Sequence, residues 1–134
     1  LGLTVETRAH DWTLGRIGPP KSAPRQFDAV LVDAPCTGIG TVRRHPEIRW
    51  RRTEPDLYSA AALQERILTA AAQHVGPGGV LVYAVCSPEP EEGEQVVDRF
   101  VAAHPAFERE VSLSTAPPEV GEDAHFAARL RRIG

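Results

Sequence analysis

Two short apolar runs, Ala29-Val30-Leu31-Val32 and Val80-Leu81-Val82-Tyr83-Ala84-Val85, each lead into a cysteine. Both are too short for a helix and rich in β-branched residues, so they predict strands from Phe27 to Asp33 and from Val80 to Val85. Their unbroken apolar character predicts burial on both faces, as in a parallel sheet. Pro35 and Pro88 cannot donate a ladder hydrogen bond, so each strand is expected to finish at its cysteine. Between the runs, Leu63, Ile67, Ala71 and Val75 recur every four residues, with Leu57, Ala60, Leu68 and Ala72 widening the stripe. That spacing predicts a helix from Thr53 to Val75, opened by the capping-box-like Thr53-Glu54-Pro55-Asp56 and stopped by Gly76-Pro77-Gly78-Gly79. A second helix is predicted from about Glu91 to Ala103, with Val96, Val97, Phe100 and Val101 on its apolar face and Pro105 just beyond.

Three weaker strands are predicted at Thr4 to Arg8, Phe107 to Leu113 and His125 to Leu130. Loops fall from Gly15 to Arg25 and around Pro117-Pro118. Strands alternating with helices and closing on a strand pair predict an α/β doubly wound sheet with an antiparallel edge. In such a sheet the carboxyl ends of the strands carry the chemistry, so the two thiols are expected to share one cleft.

The 134 residues amount to one domain, and 42% hydrophobic with 25% charged is ordinary for a globular chain. No run approaches the ~20 apolar residues of a membrane span and no signal peptide opens the chain, so a cytoplasmic protein without membrane contact is expected. The net charge of −3 conceals zoning. Arg43-Arg44-His45-Pro46-Glu47-Ile48-Arg49-Trp50-Arg51-Arg52 is basic and Glu89-Pro90-Glu91-Glu92-Gly93-Glu94 is acidic. With no methionine and Leu1 first, the sequence reads as a piece of a longer polypeptide.

Cys36 and Cys86 admit several readings from the residues alone. Either can be a buried structural thiol, and a disulfide between them is disfavoured in a reducing compartment. Two thiols and five scattered histidines show no zinc spacing. Cys86 precedes a helix, whose amino end favours a thiolate, while the following glutamates oppose one. In the basic run, Arg43, Arg44, Arg49, Arg51 and Arg52 interleaved with Trp50 suit phosphate contacts and base stacking; a merely solvated loop is the plain alternative. His45 and His74 show no partner in the sequence.

Three stretches taken in order, Asp33-Ala34-Pro35-Cys36-Thr37-Gly38-Ile39-Gly40, Arg43-Arg44-His45-Pro46-Glu47-Ile48-Arg49-Trp50, and Cys86-Ser87 followed by Glu92-Gly93-Glu94, resemble the Sun (Fmu) family of RNA cytosine-5 methyltransferases, whose bacterial members modify 16S ribosomal RNA. The resemblance runs through the whole chain. It implies a Rossmann-like methyltransferase sheet, with S-adenosylmethionine as cofactor and RNA as partner. The cysteine matching Cys86 is the nucleophile that adds to carbon 6 of cytosine, the one matching Cys36 helps release the product, and the aspartate matching Asp33 holds the cytosine edge. Asp11, Asp33 and Pro35 match positions beside the cofactor.

Val85 stands where threonine is usual, Gly93 where asparagine is usual, and Ala124-His125 where Gly-Phe is usual. The resemblance also implies that residues 1–134 are the carboxyl-terminal part of one catalytic domain, with the first strands and the glycine-rich cofactor loop upstream. Without those strands, Thr4 to Arg8 has no sheet to join and the Phe27 strand keeps an exposed edge. A non-catalytic RNA-binding fragment is the competing reading. DNA cytosine methylation is a third, in which the Pro-Cys thiol is the nucleophile.

Overall fold

The computed structural model describes residues 2, 4, 5, 7–14, 26–115 and 121–134. Four strands, β1 (Phe27–Asp33), β2 (Val75–Val85), β3 (Phe107–Thr115) and β4 (His125–Arg132), form one sheet in the order β1-β2-β4-β3. β1 runs parallel to β2, with Val30 opposite Leu81 and Asp33 opposite Ala84, and both remaining pairs are antiparallel. This is the mixed α/β sheet with an antiparallel edge pair that the pattern predicts. Parallel pairing carries the ends of β1 and β2, and hence Cys36 and Cys86, to the same edge of the sheet.

Helix α1 (Ile48–Arg51) is a single turn inside the basic run, while α2 (Glu54–Ala72) and α3 (Glu94–Ala103) are the two long helices. Thr53 closes the start of α2 by donating from its N–H and Oγ1 to Asp56 Oδ2, at 2.8 and 2.9 Å. α2 and α3 pack on each other and on one face of the sheet. The core there unites Leu68 of α2, Val96, Val97 and Phe100 of α3, Leu81, Tyr83 and Val85 of β2, and Phe126, Ala128 and Leu130 of β4. A fully buried leucine such as Leu68 or Leu130 contributes about 2 kcal/mol by leaving water.

Several expectations need correction. β1 is not buried on both faces: Val32 faces the core, but Leu31 on the other side is 69% exposed. Both long helices lie on one face, and β1 is an edge strand with β2 as its neighbour, so the outer face of β1 has no cover among the described residues. The described residues of 4–8 form no strand, because neither edge of the sheet pairs with them. The stripe of α2 is centred one residue away from the predicted one: Ala61, Gln64, Leu68, Ala71 and Ala72 are buried, whereas Leu63 and Ile67 are half-buried.

Gly76 to Gly79 stop the helix as expected but belong to β2, in an irregularity where the register jumps from Phe27 opposite Val75 to Ala29 opposite Val80. Gly78 there has φ +72°, a conformation glycine adopts freely. α3 begins at Glu94, later than Glu91, so the 87–93 turn separates Cys86 from any helix amino end. The predicted loops from Gly15 to Arg25 and at Pro117-Pro118 lie outside the described residues.

Beyond β1 and β2, Gly40 stitches three segments together. Its N–H donates to the Cys86 carbonyl at 3.1 Å, and its own carbonyl accepts from the Ala124 N–H at 2.9 Å. A Cβ at position 40 would lie 2.0 Å from the Ala124 oxygen, and all atoms around it are backbone. Gly40→Ala is therefore expected to destabilise the chain by about 2–3 kcal/mol, read as a lower urea midpoint at unchanged slope. An unchanged midpoint would show that this approach is not needed.

Candidate active site

The sulfurs of Cys36 and Cys86 stand 2.9 Å apart, and both residues are half-buried free thiols. Register explains the contact. The β1–β2 ladder extends one step past Asp33, where the Ala34 N–H donates to the Ala84 carbonyl at 2.9 Å, and each chain then runs two residues further to its cysteine. Burial is the main reason the Cys36 thiol is pushed up to about 12, and the hydrogen bond and charge of Cys86 add to it. The Cys36 thiol is thus held protonated beside the second sulfur.

Glu92 ties the two cysteine loops together. Its side chain is fully buried: Oε1 accepts from the Thr37 N–H at 2.8 Å and from Gln64 Nε2 at 2.9 Å, while Oε2 accepts from Thr37 Oγ1 at 2.5 Å. Gln64 Nε2 also donates to the Pro35 carbonyl at 3.1 Å, and the Tyr83 hydroxyl donates to the Glu92 carbonyl at 2.5 Å. Burial, and then the charge of Glu92, raise the Tyr83 hydroxyl well above its ordinary pKa, so it remains a donor. No role follows from the sequence for Thr37, Gln64, Tyr83 or Glu92, although Thr37 and Glu92 lie within the stretches that carry the resemblance. Gln64 had left a trace there, as the one polar member of a helical seam at 61, 64, 68 and 71.

The basic residues divide into tethered and free-facing groups. Arg44 pairs with the buried carboxylate of Asp123, its Nε donating at 2.5 Å, and Arg43 lies 3.7 Å from the same group. The Arg44 bond holds Asp123 below the usual carboxylate range. Arg52 Nε donates to the Thr37 carbonyl at 2.9 Å, joining the end of α1 to the loop after Cys36. Trp50 is 84% exposed with the Arg49 guanidinium 5.9 Å from its ring, and Arg51 is exposed beside it. The two histidines read as partnerless do have neighbours. His45 Nδ1 lies 3.6 Å from Glu47, and the buried His74 meets the Trp12 ring edge-on while its carbonyl accepts the Phe27 N–H.

Two departures from the family pattern have local explanations. Val85 is buried in the core, and a Cβ at Gly93 would come within 3.0 Å of the Phe126 ring, so positions 93 and 126 are packed together.

Asp33 and Pro35 are exposed at the thiol end of the sheet, on the uncovered side of β1. Asp11 is elsewhere. It accepts from Thr13 Oγ1 and N–H, which hold its carboxyl low, just before a short turn (Trp12–Leu14) that packs on α2 and meets His74 at the end where β2 starts. The described residues therefore bring together two of the three positions expected beside S-adenosylmethionine. Among the described residues nothing encloses a site beside Asp33 and Pro35.

The family model "16S rRNA methyltransferase RsmB/F" matches residues 4–131. The chain belongs to this family. Its members are S-adenosylmethionine-dependent rRNA methyltransferases, so the family-level resemblance and the fold both hold. A relative, ribosomal RNA small subunit methyltransferase B of Thermus thermophilus, is 42% identical over 99% of this chain and 34% of its own length. Among solved structures, PH0851 superposes with a TM-score of 0.74 at 36% identity, covering 77% of this chain and 26% of that one. NSun6 from Pyrococcus horikoshii, solved with SFG, superposes at 0.61 with 28% identity over 78% of this chain and 29% of its own. The chain thus spans about a third of the length of this curated relative.

Because Cys86 supplies two of the influences that keep the proton on Cys36, Cys86→Ala is expected to lower the Cys36 pKa from about 12 while burial still holds it above an ordinary thiol. The pH dependence of Cys36 alkylation by iodoacetamide measures this. An inflection that stays put would mean that burial acts alone.

Proposed function

We propose that this chain supplies the thiol pair and the RNA-facing loop of an S-adenosylmethionine-dependent enzyme that methylates carbon 5 of cytosine in 16S ribosomal RNA. The observation that carries the proposal is the 2.9 Å contact between Cys36 and Cys86 at the ends of neighbouring parallel strands. Two thiols in contact suit a reaction that must both form and break a covalent adduct.

In this reading the Cys86 thiolate adds to carbon 6, and the C5=C6 π electrons move to carbon 5, which becomes nucleophilic enough to be methylated. S-adenosylmethionine is the methyl donor of the family, and the described residues enclose no site for it, so the residues of this chain act before and after the transfer. Release needs the C5 proton to pass to water. The C5–H electrons then re-form the double bond, and the S–C6 pair returns to Cys86 as thiolate. The Cys36 S–H, held protonated by burial, donates to that departing sulfur. The exposed Asp33 carboxylate accepts from the cytosine 4-amino group, Trp50 stacks on a base, and Arg49 and Arg51, with Arg43, Arg44 and Arg52 behind them, face phosphates. Asp33 and Pro35 would form one open wall of the cofactor site, and Asp11, at the opposite end of β2, is not brought to it.

Methylation of 16S RNA by the full-length protein tests the roles. Cys86→Ala is expected to reduce turnover to background, and Cys36→Ala to accumulate a covalent RNA adduct. If neither variant changes methylation, the role assignment fails. Trp50→Ala is expected to weaken single-stranded RNA binding by about 1–3 kcal/mol; unchanged affinity would remove the stacking role. In calorimetric titration, residues 1–134 alone are expected to bind S-adenosylmethionine far more weakly than the full-length protein, and equal affinity would contradict the open wall.

A further inference from the structure

We propose that Glu92 is a positioning residue of the thiol pair, which locks the loop after Cys36 to the loop after Cys86 and so sets the contact between the two sulfurs. The proposal rests on the reading of Cys36 and Cys86 as the reacting pair. Past Ala34 the β1–β2 ladder is exhausted, and two free strand ends would otherwise diverge. Glu92 spans the gap, with Thr37, the residue directly after Cys36, bound twice to its carboxylate at 2.8 and 2.5 Å. On its own side the Tyr83 hydroxyl pins its backbone from near the end of β2 at 2.5 Å. Gln64 sends both of its described bonds from Nε2, to Glu92 and to the Pro35 carbonyl, and its Oε1 is buried with no hydrogen-bond partner among the described residues. The amide is thus turned to serve the carboxylate at the expense of its own oxygen.

A fully buried carboxylate is a costly way to hold a loop, since desolvation opposes it and an apolar contact would hold the segment with less loss. What a carboxylate adds is direction. Two acceptor oxygens receiving three donors fix both the distance and the orientation of the neighbouring Cys36. Glu92→Gln can keep that geometry, because its Oε1 accepts from the Thr37 N–H and Gln64 while its amide donates to Thr37 Oγ1. Glu92→Ala cannot.

The test is the rate at which diamide closes Cys36 to Cys86 in the full-length protein, the reagent taking up the two protons and two electrons that the thiols release. Glu92→Ala is expected to slow closure by about tenfold, the size of one lost charge-assisted hydrogen bond, and Glu92→Gln by less than about threefold. In methylation, kcat is expected to fall for Glu92→Ala at unchanged KM for RNA. Thr37→Val, which removes the hydroxyl bond within the same shape, is expected to slow closure as well and decides the matter if Glu92→Ala does not fold. Closure at the wild-type rate in Thr37→Val and in folded Glu92→Ala would overturn the clamp, whatever methylation shows. Slowed closure together with full methylation by Cys86→Ala would keep the clamp and remove the catalytic reading instead.

Discussion

A parallel pair of strands holds its ends together only as far as its ladder reaches, and here the ladder stops at Ala34 and Ala84, two residues short of the thiols. The site depends on what replaces it. The buried Glu92 carboxylate does so on one side, and the Gly40 N–H on the Cys86 carbonyl does so on the other. Both devices are polar bonds at the rim of an apolar core, where low dielectric strengthens a satisfied network and penalises a broken one. The same loop then runs into the basic segment, and Arg52 returns to the Thr37 carbonyl from the far end of α1. One short stretch, from Pro35 to Arg52, is therefore tied at several points to the cysteine turn, to Asp123 and Ala124 just before β4, and to itself.

Much of this was legible in the sequence because period and punctuation agree. The apolar runs ending at Pro35 and Pro88 marked both strand ends, and Thr53 with Asp56 marked the start of α2. Less was legible where tertiary context decides. The seam of α2 turns on Gln64, a polar residue that helical periodicity leaves out of a core, and its burial follows from a carboxylate twenty-eight positions away. The outer face of β1 is as apolar as a doubly buried strand, yet it lies open, because a composition read as burial says nothing about which neighbour covers it. Thr4 to Arg8 has strand-like residues, but a strand is defined by its partner, and none of the four in this sheet takes it.

The proposed division of labour between the thiols rests on position. Cys36 lies on the core-facing side of β1 and is pushed up chiefly by burial, which suits a thiol that must keep its proton beside another sulfur. In the acidic run after Cys86, Glu92 is turned inward onto Thr37 and Gln64, and Glu94 pairs with Arg109. The exposed Arg49, Trp50 and Arg51 lie in the turn that Arg52 ties to the loop after Cys36, which supports the proposed RNA path to the sulfurs.

The central claim is that Cys86 forms the covalent bond to cytosine. It is tested most directly by incubating the full-length protein and S-adenosylmethionine with 16S RNA containing 5-fluorocytosine, whose C5–F bond cannot release the proton that elimination needs, and mapping the trapped adduct by mass spectrometry. The account predicts RNA attached to the peptide carrying Cys86. Attachment at Cys36, or no adduct at all, would contradict it.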